Sequence, residues 1–440
     1  MDYASINIST DQAEAYASQY FAVFGTAKKL AGEEDFNFYL KSGKGEFTLK
    51  ISRPGVDLEN IQLQAAVMNW LEEKQIPLSV PAVVKSLDGK EVIELENNRY
   101  LRLQKWVPGR MLADANPRTA NLLQDWGKTC GLLSKNLQGF DHSAAHRFYK
   151  WNPSETLFSK KFAQYIAAAE QQEIANYFWN LFEKEALPKL PNLRKSVNYS
   201  DAHEYNFLIN SDKKNPRITG VIDFGDVIFS ETINELAIGC AYACMTMPDP
   251  LEAAKQVVKG YHSIFPLREE ELEILFHMIG ARLMITAANA AWNKHNEPDN
   301  EYLLISEKPA WELLKKWREI PPAFAHYTFR HACGLEPCPS NPRLQSWVNE
   351  ASGIIDLTGK KITHFNLSVG SLDLGNNSNY DTNPQFEKTI QKILAINDAE
   401  IGIGGYCETR PFYSSDAYFC LLYTSPSPRD ATLSRMPSSA

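Results

Sequence analysis

A chain of 440 residues is too long for one hydrophobic core and predicts two or three domains. Its 44% hydrophobic and 22% charged residues match a soluble globular protein and exclude a disordered or fibrous chain. A net charge of −8, with no basic stripe, argues against a nucleic-acid partner. The start, Met1-Asp2-Tyr3, lacks the basic and apolar pattern of a secretory signal, and no apolar run is expected to span a membrane, so a cytoplasmic location is expected. Seven cysteines, with no Cys-x2-Cys pair, read as reduced thiols rather than a zinc site, Cys333 and Cys338 included.

In chain order, Thr10 to Tyr20 has a helical pattern with Ser9 or Thr10 placed to cap it. From Gly25 the pattern changes to alternation. Asn37 to Leu40 and Glu46 to Ser52, joined by a turn at Lys41 to Gly45, predict a β-hairpin that carries Lys50 between Leu49 and Ile51. Asp57 to Lys74 predicts a helix, with Leu58, Ile61, Leu63, Val67, Met68 and Leu71 mostly on one stripe. Strands at Ala82 to Val84, Glu91 to Leu95 and Tyr100 to Trp106 complete an antiparallel sheet, which ends at Val107-Pro108-Gly109-Arg110.

Helices follow. Thr119 to Leu137 has core spacing through Leu122, Leu123, Trp126, Cys130, Leu133 and Leu137, and Phe158 to Leu187 predicts one or two more. His142 and His146, in the loop between them, read as ordinary polar residues rather than ligands. Another helix is expected to start at Glu231, and residues 250 to 318 are helical again. There Arg282, Asn289, Trp292 and Asn293 share a mixed face that either lines a cleft or forms the polar edge of a packed helix.

The chemistry is concentrated in Val197 to Ser230, VNYSDAHEYNFLINSDKKNPRITGVIDFGDVIFS. Two apolar strand candidates, Phe207 to Ile209 and Ile218 to Ile222, flank a polar turn at Asn210 to Pro216 and read as a hairpin. Asp201 and Asn206 precede the first strand and Asp223 closes the second, so the hairpin gathers all three at one end. Two carboxylates and an amide suit Mg²⁺, a hard cation that keeps positions for water and substrate phosphates, and a carboxylate held off the metal can take a proton.

Asp201-x4-Asn206 followed by Ile222-Asp223-Phe224-Gly225-Asp226 resembles the catalytic and metal-binding loops of the aminoglycoside phosphotransferase family, a small-molecule branch of the protein-kinase-like fold. The resemblance implies an α+β fold of two lobes, a small antiparallel β lobe at 1–108 and a helical catalytic and substrate lobe at 109–322. It implies Asp201 as base, Asn206 and Asp223 as Mg²⁺ ligands, and Lys50 as the strand lysine that reaches the phosphates of ATP or GTP. The helix residue aligned with the lysine-orienting carboxylate is Gln64, expected to hold Lys50 by hydrogen bonding alone, with Glu59 more than a turn earlier. Gly32-Glu33-Glu34-Asp35 stands where a protein kinase has its glycine-rich loop, which argues against a protein kinase. Tyr199-Ser200 replaces the family's His-Gly, a departure at the orienting residue, and Glu235 matches an acidic residue near the catalytic loop with an expected structural role.

Trp106-Val107-Pro108-Gly109 and Gly139-Phe140-Asp141-His142 are similar to the hydroxylysine-kinase-like branch, which implies phosphoryl transfer to a small hydroxylated amine. By the same resemblance, Val107 to Arg110 is expected to be the hinge whose backbone pairs with the nucleotide base. Asp226 and Glu231 are the candidates to face a substrate amine. A nucleotide-binding module without turnover is the alternative, favoured by Tyr199 and Gln64.

From Ala323 the character shifts, and His326 to Pro339 resembles the connector of fused proteins in which such a phosphotransferase precedes a metallopeptidase-like domain and a class III aminotransferase. Residues 323–420 are accordingly expected to be a linker subdomain at the start of a second domain, with a helix near Pro342 to Ala351, a strand at His364 to Leu367 and a helix from Gln385 to Asn397. A fused aminotransferase that this part would support is the implied partner. Residues 421–440, around Thr424-Ser425-Pro426-Ser427-Pro428-Arg429, resemble adapter sequence, so the natural protein is expected to continue beyond Phe419.

Overall fold

A computed structural model of the protein describes residues 7–32, 35–296 and 306–337. They belong to two units, Met1–Arg318 and Glu319–Ala440. The first unit opens with helix α1 (Thr10–Phe21), whose start is closed by a reciprocal cap. The Gln12 N–H donates to Ser9 Oγ at 3.2 Å, and the Ser9 N–H donates to Gln12 Oε1 at 3.0 Å.

Strands β1 (Gly25–Leu30), β2 (Asp35–Ser42), β3 (Gly45–Ser52), β4 (Val83–Val84), β5 (Ile93–Leu95) and β6 (Arg99–Lys105) form one antiparallel sheet in the order β1-β2-β3-β6-β4, with β5 also on β6. Alternation sorts its residues. Phe38 and Leu40 on β2, Leu49 and Ile51 on β3, and Leu101 and Leu103 on β6 are buried with Ala13, Ala17 and Phe21 of α1. The opposite face carries Lys50, which lies across from Asn37 of β2 and Arg102 of β6. Helix α2 (Leu58–Glu73), capped by Asp57, reaches that face through Gln64.

The helical half is built from α3 (Ala120–Asn136), a run of 3-10 turns over Pro153–Tyr165, and α4 (Ala169–Leu181) with a π turn behind it. Helices α5 (Ile233–Cys244), α6 (Pro250–Ile264), α7 (Glu269–Asn296) and α8 (Glu307–Arg318) follow. The 28-residue α7 is long and apolar enough to cross a membrane, contrary to the sequence expectation that no run is. Its most apolar 18-residue window is wholly buried inside the fold, however, as in the core helix of a multi-helix lobe. Trp317 of α8 stacks on Phe276 of α7 with centroids 5.1 Å apart, and its Nε1 donates to the Phe276 carbonyl at 3.2 Å.

Short strands carry the chemistry. Strand β7 (Arg110–Met111) joins β9 (Phe207–Ile209) and β10 (Ile218–Val221) in a three-stranded sheet. Beside it β8 (Lys195–Asn198) pairs antiparallel with β11 (Ile228–Glu231). The hairpin expected at Phe207 to Ile222 is present, whereas the β8 and β11 pair is a feature the pattern does not announce. Glu231 therefore ends a strand, and α5 begins two residues later.

Of the second unit, helix α9 (Pro322–Ala332) begins with a proline, which has no N–H to leave unpaired, and packs Tyr327 on Ala323 and Phe324. The elements expected at 342–351, 364–367 and 385–397, and the tail at 421–440, lie outside the described residues.

Helices α3 and α6 meet at glycines. A Cβ on Gly127 would stand 1.8 Å from the Val257 carbonyl oxygen, and one on Gly260 1.9 Å from that of Gln124. Gly127→Ala should therefore lower stability by about 1–3 kcal/mol despite alanine's better helix propensity. Thermal unfolding checks this, and an unchanged Tm would mean that the two backbones are not in contact.

Candidate active site

Two loops form the floor of the site, 199–206 between β8 and β9 and 222–227 between β10 and β11. Because each loop is flanked by strands of the same two antiparallel pairs, the loops run side by side. The Ile222 N–H donates to the Asn206 carbonyl at 2.9 Å, and Tyr199 Oη donates to the Ile222 carbonyl at 2.6 Å. Tyr199 is fully buried, 5.1 Å edge-on from Phe224 and 6.3 Å stacked on Phe207. The departure from His at 199 thus leaves a bond that ties the two loops together. Trp126 of α3 fixes the first loop from below, Nε1 donating to the Ala202 carbonyl at 3.1 Å. Arg147 holds the second through the carbonyls of Val227, at 2.8 Å, and Gly225, at 3.3 Å.

Asp201 stands at the centre. Its Oδ2 accepts from Asn206 Nδ2 at 2.6 Å and lies 3.3 Å from His203 Nε2, while Oδ1 is 3.6 Å from the Arg282 guanidinium. Burial alone would raise its carboxyl, but His203, Arg282 and Asn206 outweigh burial and hold it below the ordinary value. The reciprocal effect acts on His203: burial would lower its imidazole, and Asp201 raises it. Arg282, 2% exposed, is fixed by the Trp151 carbonyl at 2.7 Å and Tyr242 Oη at 3.1 Å, with both rings beneath its guanidinium.

Asp223 sits at a φ of 58°, accepts from the Gly225 N–H at 3.2 Å and leaves 54% of its side chain exposed. Its Oδ1 lies 3.9 Å from Lys50 Nζ, so the β3 lysine and the acidic loop face each other across the cleft. Asn206 spends its amide nitrogen on Asp201, which leaves Oδ1 to accept or coordinate. Asp226 accepts from Tyr149 Oη, and its carboxyl is pushed up to about 8, first by burial and then by the nearby charge of Asp201. Asp201, Asn206, Asp223 and Asp226 thus lie on two adjoining loops, and Lys50 faces Asp223 from the sheet.

Two expected placements differ. Gln64 does not bond Lys50; its Oε1 accepts from Arg102 at 2.6 Å, because Arg102 lies opposite Lys50 on β6 and its guanidinium reaches α2. Lys50 is held instead by Asp35 of β2 at 3.2 Å. Glu231 does not face the cleft as a free acceptor either. It is 4% exposed at the end of β11, paired with Lys195, its cross-strand neighbour, at 3.0 Å, and bonded by Ser154. Two residues that no local pattern identifies, His203 and Tyr149, join the site, along with Arg282, which stood out in the sequence only as part of a mixed helix face.

Glu235, fully buried on α5, accepts from the Ser200 N–H at 2.9 Å and so braces the loop where Ser200 takes a φ of 68°. Burial, with Asp201 adding to it, raises its carboxyl to about 7.

This combination of fold and cleft defines a phosphotransferase. Residues 26–273 match the family model of the APH phosphotransferase enzyme family, and the chain belongs to that family. It is 30% identical over 342 residues to the hydroxylysine kinase of Xenopus laevis, covering 71% of this chain and 90% of that one. It is 25% identical over 293 residues to the homoserine kinase of Zymomonas mobilis, covering 65% and 86%. The fold is that of a microcompartment-associated aminopropanol kinase, with a TM-score of 0.55 at 18% identity over 70% of this chain and 98% of that one. An amicoumacin kinase solved with AMP-PNP shares it at a TM-score of 0.53 and 18% identity, over 72% and 95%. The protein is thus a small-molecule kinase with an alcohol group as acceptor, and nucleotide binding is implied by the fold.

The raised Glu235 carboxyl carries a sign. The fold favours the protonated form, so its contribution to stability is complete below about 4.5 and is lost as the pH rises through about 7. Asp226 acts in the same direction between 3.8 and about 8. Glu235→Gln, which keeps an oxygen for Ser200, should gain in Tm relative to the parent as the pH goes from 5 to 8. Thermal melts at the two pH values check this, and a constant difference would mean that the folded Glu235 titrates normally.

Proposed function

We propose that the protein transfers the γ-phosphoryl group of ATP or GTP to the hydroxyl of a hydroxylated amino acid or small amino alcohol. The observation that carries this reading is the meeting of Asp201, Asn206 and Asp223 on two clamped loops, with Lys50 facing them from the sheet. In this reading Asp201 orients the acceptor hydroxyl and takes its proton as the new oxygen–phosphorus bond forms and the bond to the nucleoside diphosphate breaks. A carboxyl held below its ordinary value is ionised at neutral pH and ready to accept. Lys50 holds the nucleotide phosphates, and positioning rather than covalent chemistry does most of the catalysis.

The donor set fits a hard divalent cation: Asn206 Oδ1 and the exposed Asp223 carboxylate would hold Mg²⁺, which when bound neutralises the phosphate charge. Asp226 and Tyr149 lie beside Asp201, where a carboxylate can meet an acceptor's ammonium group. An arriving cation would favour the ionised form of Asp226 and draw its proton off. Relatives named hydroxylysine kinase and homoserine kinase, both for hydroxylated amino acids, support the acceptor class.

Asp201→Asn should lower kcat by roughly 10²- to 10⁴-fold while leaving nucleotide affinity nearly intact. A coupled assay with Mg²⁺, ATP or GTP, and hydroxylysine, homoserine, ethanolamine, choline and an aminoglycoside tests the reading. Turnover with one acceptor, lost in the variant, supports it; nucleotide binding with no turnover on any acceptor would overturn it. Asp226→Asn should raise KM for an amine-bearing acceptor about tenfold, as for one lost charge-assisted contact, at unchanged KM for nucleotide. Equal acceptor KM in that variant would remove Asp226 from the pocket.

A further inference from the structure

Kinases of this architecture orient the phosphate-binding lysine with a helix carboxylate. Among the described residues, no carboxylate of α2 pairs with Lys50, and the helix side chain at that place is the neutral Gln64. The charge is met from within the sheet. Asp35 Oδ2, at the start of the neighbouring strand β2, lies 3.2 Å from Lys50 Nζ and accepts from Arg102 NH2 at 2.6 Å. Arg102 lies directly across from Lys50 on β6, and its other terminal nitrogen donates to Gln64 on α2 at 2.6 Å. One carboxylate therefore stands between two cations on three adjacent strands, and the second cation carries the connection on to the helix. All three charged side chains are nearly closed off from water, at 12% exposed for Lys50, 11% for Asp35 and 4% for Arg102. Ionic contacts there are little screened.

We infer that Asp35 is the positioning residue that holds the Lys50 ammonium for the nucleotide phosphates, and that Arg102 fixes that carboxylate while docking α2 through Gln64. The inference rests on the phosphotransfer reading above for the ligand that Lys50 meets. Two consequences follow from the geometry. First, β2 and β3 pair continuously from Asp35 opposite Ser52 to Ser42 opposite Gly45, so the lysine and its carboxylate are assembled by the sheet register and do not wait for α2 to swing into place. Second, within the sheet two cations share the one carboxylate of Asp35, while Lys50 also faces Asp223 across the cleft at 3.9 Å, so the neutral Gln64 adds no third carboxylate to the cluster.

The competing account is that Asp35 exists only to satisfy the buried Arg102, with Lys50 an incidental neighbour. Three variants of the full chain separate the two: Asp35→Asn, Arg102→Met, and the double change. Binding of a fluorescent ATP analogue with Mg²⁺ reads nucleotide affinity, Tm reads packing, and kcat and KM are taken with whichever acceptor the parent turns over. Asp35→Asn should weaken nucleotide binding about tenfold and lower kcat, with acceptor KM unchanged, as for one lost charge-assisted contact. Arg102→Met should lower Tm and weaken nucleotide binding by less than Asp35→Asn does, because Asp35 loses its brace and keeps its contact with Lys50. The double variant should regain Tm relative to Asp35→Asn, having no stranded guanidinium, and still bind nucleotide weakly. Parental nucleotide affinity in the double variant would overturn the inference and leave Asp35 as Arg102's counter-ion alone. Should the parent bind nucleotide but phosphorylate no acceptor, the functional reading fails while the affinity comparison still decides the role of Asp35. If Asp35→Asn alone does not fold, the double variant carries the test.

Discussion

The site depends on the bonding between two loops that are distant in the chain. The Tyr199 hydroxyl closes on the Ile222 carbonyl and the Ile222 N–H closes on the Asn206 carbonyl, so that Asp201, Asn206 and Asp223 cannot drift apart. Everything around this clamp is arranged to keep it dry. Tyr199 lies between Phe207 and Phe224, and Trp126 seals the underside through the Ala202 carbonyl. A hydrogen bond in such a setting is strong because water cannot compete for either partner.

Burial sets a second problem, the placing of charge. Asp201 and Asp226 share one site, and two ionised carboxylates there would repel at low dielectric. The fold resolves this by unequal partnership. Asp201 collects Asn206, His203 and Arg282 and is held down, while Asp226, with a tyrosine hydroxyl for a donor, rises to about 8. Glu235 completes the set from behind, as a buried carboxyl spent on the backbone of Ser200.

The sheet and the helical half contribute in different ways. The sheet presents Lys50 from a strand whose other face is locked into the core by Leu49 and Ile51, so the lysine's direction follows from the pleat. The helices supply depth. Arg282 comes from the middle of α7, and the core burial that makes this helix apolar enough to resemble a membrane span also holds the guanidinium against Asp201. Gly127 and Gly260 let α3 and α6 approach closely, and α3 in turn carries Trp126 to the loop.

Much of this was legible in the residues alone. Helices α1, α2 and α3 announce themselves by period and cap, and the strand carrying Lys50 by alternation. The convergence of Asp201, Asn206 and Asp223 follows from the hairpin, because Phe207 pairs with Val221 and so brings the segments just outside the two strands to one end. Those are local constraints, and a sequence states local constraints directly. The four-residue pair β8 and β11, by contrast, has no alternation to reveal it, and it is this pair that turns Glu231 toward Lys195 instead of the cleft. Likewise nothing near position 64 says that its amide would meet Arg102, or that Lys50 would find its carboxylate on the next strand. Which of several chemically equivalent partners a buried charge takes depends on distances between segments tens of residues apart, and those distances exist only once the sheet and helices have packed.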